Sequence, residues 1–567
     1  MRLHDGPPTS RVELWAWYAY SATYLATASC INGWIPQQML YLTSWNDCIR
    51  RGKLPEDSAA FNMTQCERNS IMPMRGTGNS GLPVMDAMMV PAAESGGLTP
   101  DQLVLIWISV ALVATMLFTM VFSPLGDYGT LRRRLLFAFN FSGGLSLLAC
   151  ACFRTAPGWL SVSIFQVTMQ IGYWVGDTWV NSSLPILAAH QPRVLALPVA
   201  SKAYEAAADA EAALLSARAK AISFVSACSG ILATLGLSLV VTDLATLYQL
   251  AAGIVGSLWC FLSICGYLGS RDRPGPPLPS SVLCIGPKSI WNGIVALRKL
   301  PHTALYLTYI CISADLLIGF VQTVALFVAE LSWTASEVGA LLFVPTVTSV
   351  FGALGSQAVA SKYGISSRAV LVATKVMLVP LLAYALVGYA GGGFGLVAHA
   401  EIYIGIGYYG LTLGAWLSYI RVALIPLVPL DLQGSFFGIF SMIESVGQAV
   451  GPIIIGILAR LTGSLRSGFA FMLGEAFVCI ALLLLLKPAA GAAAATRLNR
   501  MQRLRGTSML FGAHQKGCPY CKRIHRELSL EQCAMIEAQV SRESNVECET
   551  RENTVTGGAA ACVYECA

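Results

Sequence analysis

Apolar runs of about twenty residues recur along most of the chain, and each is long enough to cross a hydrocarbon core of roughly 30 Å as an α-helix. In lipid the backbone must satisfy its own polar groups, which a helix does within one segment, so the pattern dictates an all-α membrane protein. Composition excludes a soluble reading: 55% of residues are hydrophobic and 12% charged, with a mean hydropathy of +0.61. Twelve crossings are predicted. The first six lie at 14–42, 102–122, 135–153, 159–180, 221–241 and 247–268, the second six at 304–329, 338–360, 369–389, 401–425, 437–458 and 469–486. They divide the chain into an N-terminal segment 1–13, a first half 14–268 with a long loop at 43–101, a connector 269–303, a second half 304–486 and a tail 487–567. Pro274, Pro276, Pro277 and Pro279 mark the connector, and the tail is expected to be disordered.

Orientation follows from the basic residues of short loops, which stay in the cytosol. The even-numbered connections hold Arg132, Arg133 and Arg134, then Arg193, Lys202, Arg218 and Lys220, then Arg271, Arg273, Lys288, Arg298 and Lys299, then Lys362 and Arg368. The odd-numbered ones are nearly bare, so both termini are expected in the cytosol. Residues 1–11 are short and mixed in charge; no cleavable signal is expected, and the first helix serves as an uncleaved anchor.

A short repeat relates the two sets of spans. Asp127-Tyr128-Gly129-Thr130-Leu131-Arg132-Arg133 follows the second, and Lys362-Tyr363-Gly364-Ile365-Ser366-Ser367-Arg368 follows the eighth, with Tyr, Gly and Arg at one spacing. Glycine permits the tight turn, and arginine can pair with a carboxylate or a helix C-terminus. Duplicated six-helix halves are how transporters of this kind are built. The first copy resembles the loop signature of the major facilitator superfamily; the second has Lys362 in place of the acidic residue. The fold class implied is a major-facilitator-type bundle of 12 transmembrane helices in two six-helix halves. Asp127, Gly129, Arg132, Arg133, Gly364 and Arg368 are its candidate cytosolic gate motif, with Asp127 and Arg132 expected to hold the two halves together there.

Further motifs narrow the resemblance. Leu14-Trp15-Ala16-Trp17-Tyr18-Ala19-Tyr20-Ser21, Trp34-Ile35-Pro36, Asn181-Ser182-Ser183-Leu184-Pro185, Val321-Gln322-Thr323, Glu401-Ile402-Tyr403, Ser418-Tyr419-Ile420-Arg421 and Gly451-Pro452 stand in one order over residues 13–486. As an ordered set they resemble the autophagy-related vacuolar effluxer family. In the seventh span Gly319 stands where that pattern has an acidic residue, and the nearest carboxylate is Asp315. The resemblance implies a multi-pass vacuole-membrane protein that exports amino acids from the lumen after autophagic breakdown, with a small-molecule substrate and the bilayer as its partners. Two other classes remain open: an exporter of drugs or other metabolites with the same fold, and a transporter-like receptor or scramblase without amino-acid flux. No catalytic triad, metal-ligand cluster or phosphate-binding glycine loop is evident, so no enzyme activity, metal, cofactor or nucleic-acid partner is expected.

Ionisable residues within spans are the site candidates, because a carboxylate at mid-bilayer costs about 2.5–3.5 kcal/mol and normally faces a cavity or a partner. Asp315 and Gln322, seven residues on and so on one helix face, come first as a substrate or proton pathway. Asp315 is open to two readings, a proton carrier or a structural hydrogen bond between helices. Asp177, Arg421 and Glu444 are the second tier, open equally to an interfacial position; Asn181, Glu401, Tyr408 and Tyr409 complete the candidates, and Lys375 is expected to snorkel. Gly405, Gly407 and Gly410 beside the tyrosines suggest close packing or a cavity wall. Trp15, Trp17, Tyr18 and Tyr20 are read first as an interfacial aromatic belt and second as a substrate-path lining.

Cysteines number 17, and those in spans are small apolar packers. Cys48 and Cys66 share the 43–101 loop and are a possible disulfide, and Asn62 there heads a glycosylation sequon. Asn140 and Asn181 also head sequons but lie at or within the membrane. Cys518-Pro519-Tyr520-Cys521 resembles a glutaredoxin dithiol without the scaffold that chemistry needs, so no redox role is expected.

Overall fold

The computed structural model describes residues 7–24, 35–50, 100–198, 201–241, 243–273, 282–320, 324, 335–388, 394–429, 432–462, 464 and 466–499. No strand occurs among them. The helices are α1 (Arg11–Ala22), α2 (Ile35–Arg50), α3 (Pro100–Phe122), α4 (Leu131–Cys150), α5 (Trp159–Ala189), α6 (Lys202–Val240) and α7 (Leu244–Gly269). There follow α8 (Val282–Leu297), α9 (Pro301–Ala314) running into a π-turn at Asp315–Gly319, α10 (Ala335–Tyr363), α11 (Ser367–Val387), α12 (His399–Leu424), α13 (Gln433–Thr462) and α14 (Arg466–Leu485). Starts are set by polar caps: the Ser10, Ser201 and Ser366 hydroxyls accept from the N–H groups of Glu13, Tyr204 and Ala369, each stabilising a helix by about 1 kcal/mol.

Among the described residues eight helices are long and apolar enough to cross a membrane, against the twelve crossings predicted. The other four predicted spans meet α1 with α2, α4, α5 and α9. In α5 the apolar run is broken by buried Gln166, Gln170, Thr178 and Asn181, which makes that helix poor in hydropathy and rich in packing. The largest difference in extent is α6, predicted to begin at 221 and observed from Lys202, because the Ala-rich run after Ser201 continues the helix. Two segments outside the predicted spans contain helix. The connector carries α8, whose Ile290 is buried while Trp291 stays exposed, and residues 488–499 of the tail are helical as their alanines favour.

Two sets of helices pack alike. Within the first, α4 lies against α5 and α7, and α3 against α5; within the second, α11 lies against α12 and α14, and α10 against α12. The sets meet along a seam where α10 and α12 face α6, and α13 faces α3 and α5. Lipid provides no hydrophobic drive between helices, so close contact depends on small residues. A Cβ at Gly410 or Gly414 of α12 would strike the backbone of Pro345 or Ser349 in α10, so these glycines serve close packing.

The sequence repeat has a matching geometry. Gly129 (φ +51°) and Gly364 (φ +64°) both occupy the left-handed region that glycine adopts without strain. The aligned arginines both cap the last helix of their own set. Arg133 donates to the Tyr267 carbonyl at the end of α7 through Nε (3.2 Å) and Nη2 (3.0 Å). Arg368 donates to the Leu483 carbonyl (2.7 Å) and the Leu484 carbonyl (2.8 Å) at the end of α14. The end of the bundle that holds these arginines is its basic end.

Candidate functional site

Four helices bring four charges together in the seam: Asp177 of α5, Lys220 of α6, Arg421 of α12 and Glu444 of α13. Arg421 Nη2 lies 3.2 Å from Asp177 Oδ2 and 3.6 Å from Glu444 Oε2, and Lys220 Nζ lies 4.0 Å from Asp177 Oδ1. One turn along α5, Asn181 donates to Asp177 Oδ2 at 2.6 Å. The cluster sums to zero charge, and Arg421 and Glu444 are nearly sealed from solvent, so each charge depends on its opposite. The Arg421 guanidinium lies 5.6 Å from the Phe440 ring, with Nε and Nη1 lacking a hydrogen-bond partner among the described residues. Cross-seam hydrogen bonds fix the backbones beside it: Thr178 to the Ser441 hydroxyl at 3.0 Å, and Ser216 to the Ser418 carbonyl at 2.7 Å. A neighbouring cavity, lined by Tyr20, Thr23, Asn140, Tyr173 and Asp177 among others, has about 10 Å³ of room, enough for one water.

Of the sequence candidates, Asp177, Asn181, Arg421 and Glu444 thus converge, whereas Asp315 stands apart. It is buried at the start of the π-turn, against Gly451 of α13, with Glu475 of α14 nearby. Lys375 of α11 faces the same cluster and is 0% exposed, so it does not snorkel as predicted: residues of α12 and α14 close over it before the side chain reaches an interface. Tyr409 is fully buried, stacks on Phe320 at 4.6 Å between centroids, and donates to the Leu317 carbonyl inside the π-turn. Tyr408 donates instead to the Met377 carbonyl of α11 at 2.8 Å. Glu401 lies in the first turn of α12, where it accepts from the Val397 N–H at 3.1 Å, away from both clusters.

The aromatic group of α1 is not a belt: Trp17, Tyr18 and Tyr20 are buried, and only Trp15 is exposed. The reason is the Trp17 indole N–H, which donates to the Val180 carbonyl at 2.9 Å and turns that face inward. Asn140 and Asn181 are buried in α4 and α5. At the basic end Asp127 and Arg132 pair with each other at 3.0 Å within one segment. Of that pair only Asp127 reaches across the seam, accepting from the Gly434 N–H at 2.9 Å at the positive end of α13, beside the Ser123 hydroxyl, which donates to the Gly434 carbonyl at 2.9 Å. A Cβ at Gly434 would lie 2.5 Å from both Asp127 oxygens. Gln322, Asn62, Cys66 and the Cys518–Cys521 motif lie outside the described residues, as does the side chain of Cys48.

Sequence reasoning missed two charges and misplaced a third. Lys220 was assigned to a loop because the fifth span was started one residue too late to include it, and an Ala-rich run leading into it was the available signal. Glu475 is the lone acidic residue of the span at 469–486, a signal as strong as that of Asp315. Lys375 was seen but placed at the surface.

The family described as vacuole effluxer Atg22 like matches residues 9–496. The chain belongs to that family. Among its Atg22-like relatives, Autophagy-related protein 22 of Coccidioides immitis is 23% identical, with 82% of this chain and 85% of that protein aligned. Autophagy-related protein 22-2 of Emericella nidulans is 24% identical, over 83% and 89%. The bundle is similar to the human organic anion transporter MFSD10 (TM-score 0.51, 12% identity, 84% of this chain and 100% of that one). It is also similar to the E. coli fucose:proton symporter FucP (TM-score 0.50, 10% identity, 83% and 98%). The Atg22-like chain therefore has the major facilitator fold, and its family is one of multi-pass membrane effluxers.

Proposed function

We propose that the protein exports amino acids from a vacuolar lumen to the cytosol by alternating access, with both termini cytosolic and with the seam cluster as the amino-acid site. The observation that carries this reading is Arg421: buried between two acids, on the surface where the two helix sets meet, with two donors unpartnered. An amino-acid zwitterion offers one anion and one cation, and the cluster offers the complement of each. Its carboxylate pairs with Arg421 and Lys220, and its ammonium pairs with Asp177 and Glu444, so binding trades internal ion pairs for ligand pairs without changing net charge. A one-water cavity leaves no space for a ligand in this conformation, so entry requires the sets to part along the seam. Export after autophagic breakdown is the expectation drawn from the family and from relatives bearing the autophagy-related name.

Counterflow of labelled amino acids in vesicles containing the purified protein tests this. Wild type is expected to exchange them and Arg421→Leu to lose exchange. Exchange undiminished in Arg421→Leu overturns the assignment of the site, and absence of exchange for every amino acid in wild type overturns the substrate class.

A further inference from the structure

We infer that the cavity at the basic end of the first helix set is an anion site that takes a terminal phosphate group, carried on a lipid headgroup or free in solution. It lies outside the seam, and nothing in it depends on the amino-acid reading above. The cavity has about 70 Å³ of room and is bounded by α1, the start of α4, the last turns of α5 and residues 270–273 after α7. One water needs about 10–15 Å³ of such room, so a five-atom oxyanion fits.

Charge balance at the cavity leaves one cation over. Four arginines line it against two carboxylates. Arg273 donates to both Glu13 oxygens, at 2.8 Å and 3.0 Å, and Arg133 donates to Asp272 Oδ2 at 3.1 Å. Arg132 is matched at 3.0 Å by Asp127, which lies outside the lining. Arg271 remains, exposed at the rim and without an ion pair among the described residues. Two buried donors are also left over. Arg273 Nη1 and the Tyr20 hydroxyl each lack a hydrogen-bond partner among the described residues, and Tyr20 is only 3% exposed. Buried donors without acceptors are destabilising, so both favour a ligand that accepts. A further observation points to the same ligand: α4 begins at Thr130 without a side-chain cap, and Thr130 lines the cavity. The positive end of such a helix favours an anion.

An oxyanion answers each of these demands. A terminal phosphate presents three acceptor oxygens, one each for Arg271, Arg273 Nη1 and Tyr20, where a carboxylate presents two. Trp17, Leu136 and Ile186 supply apolar wall, and the low local dielectric strengthens the bonds formed beside them. Basic pockets between membrane helices bind lipid phosphate groups in this way. The bound group bridges α1, α4 and residues 270–273, all within one set, so it braces that end of the set without crossing the seam.

Native mass spectrometry of the full-length protein in detergent tests the site, with inorganic phosphate, phosphatidic acid and phosphatidylcholine as probes. Phosphatidic acid ends in a free phosphate and phosphatidylcholine does not. Wild type is expected to retain one phosphate-bearing ligand per chain. Arg271→Gln, at an exposed position, is expected to weaken retention about tenfold, and Tyr20→Phe to weaken it severalfold. Arg298→Gln, at an exposed arginine outside the cavity, is expected to leave it unchanged. Phosphatidic acid retained in preference to phosphatidylcholine identifies a lipid headgroup as the source. Inorganic phosphate bound with the same variant dependence, and without that preference, identifies free phosphate. Retention of neither, or retention equal in wild type, Arg271→Gln and Tyr20→Phe, overturns the proposal.

Discussion

The two buried charge clusters are built on opposite principles. In the seam, Asp177, Lys220, Arg421 and Glu444 come from four helices of both sets, and the two acids match the two bases. In the second set, Asp315, Lys375 and Glu475 come from three helices of one set, with an acid in excess. Separation of the sets would pull the first cluster apart and leave the second whole. Charges paired across the seam are thus exposed to alternating access, and charges held within one set are not.

Arg421→Leu is the change expected to have the largest effect on that contrast. Removing the central cation leaves Glu444 buried without its partner and Asp177 with Lys220 alone, at a cost of about 3–5 kcal/mol. The thermal unfolding temperature in detergent should fall sharply, and adding Asp177→Asn to the same chain should recover part of the loss. No recovery would mean that the seam charges are not a balanced set. Next, Gly451→Ala drives a methyl group into the Asp315 carboxylate, an overpacking of roughly 1–3 kcal/mol. The thermal unfolding temperature should fall, by less than in Arg421→Leu, and an unchanged one would show that the Asp315 side chain is not held against α13.

A smaller effect is expected at the basic end. Asp127→Lys replaces an anion at the start of α13 by a cation, costing about 1 kcal/mol of seam stability. Flux should drop while membrane insertion and protein level stay normal; normal flux at normal level would show that this contact is not part of the gate. The smallest concerns Asp243, the cap of α7, whose carboxyl is held below its usual value first by the hydrogen bond from the Thr246 side chain. A lowered folded-state value stabilises the fold above the unfolded value, about 3.9, and the contribution is lost only as pH falls through the folded one. Wild type should therefore exceed Asp243→Asn in thermal stability by a small constant margin from about pH 7 to about pH 5, narrowing below about pH 4. A margin that collapses nearer neutrality would mean that the cap is not ionised as the geometry implies.

Most of the fold could be read in the chain because the membrane requires long apolar runs to be helical. The Tyr-Gly-Arg repeat even encodes a contact, since its two arginines cap equivalent helices. Site residues were partly legible for the same reason: a charge inside an apolar run is conspicuous, and Asp177, Arg421 and Glu444 were. Their convergence was not, because which faces of α5, α12 and α13 meet depends on glycine contacts and helix rotation that no single-sequence pattern carries. Lys220 and Lys375 were hidden by their aliphatic stems, which make a lysine equally plausible at an interface or in a sealed core.

The π-turn at Asp315–Gly319 also acts as a stored residue. A helix with one residue too many in a turn can return it to regular geometry, which rotates everything beyond by about 100° for no net change in hydrogen bonding along the rest of the helix. Such a rotation would lift Phe320 from its stack on Tyr409 and release the Leu317 carbonyl from the tyrosine hydroxyl. Tyr409, through that stack and that hydrogen bond, therefore braces the turn in its π form.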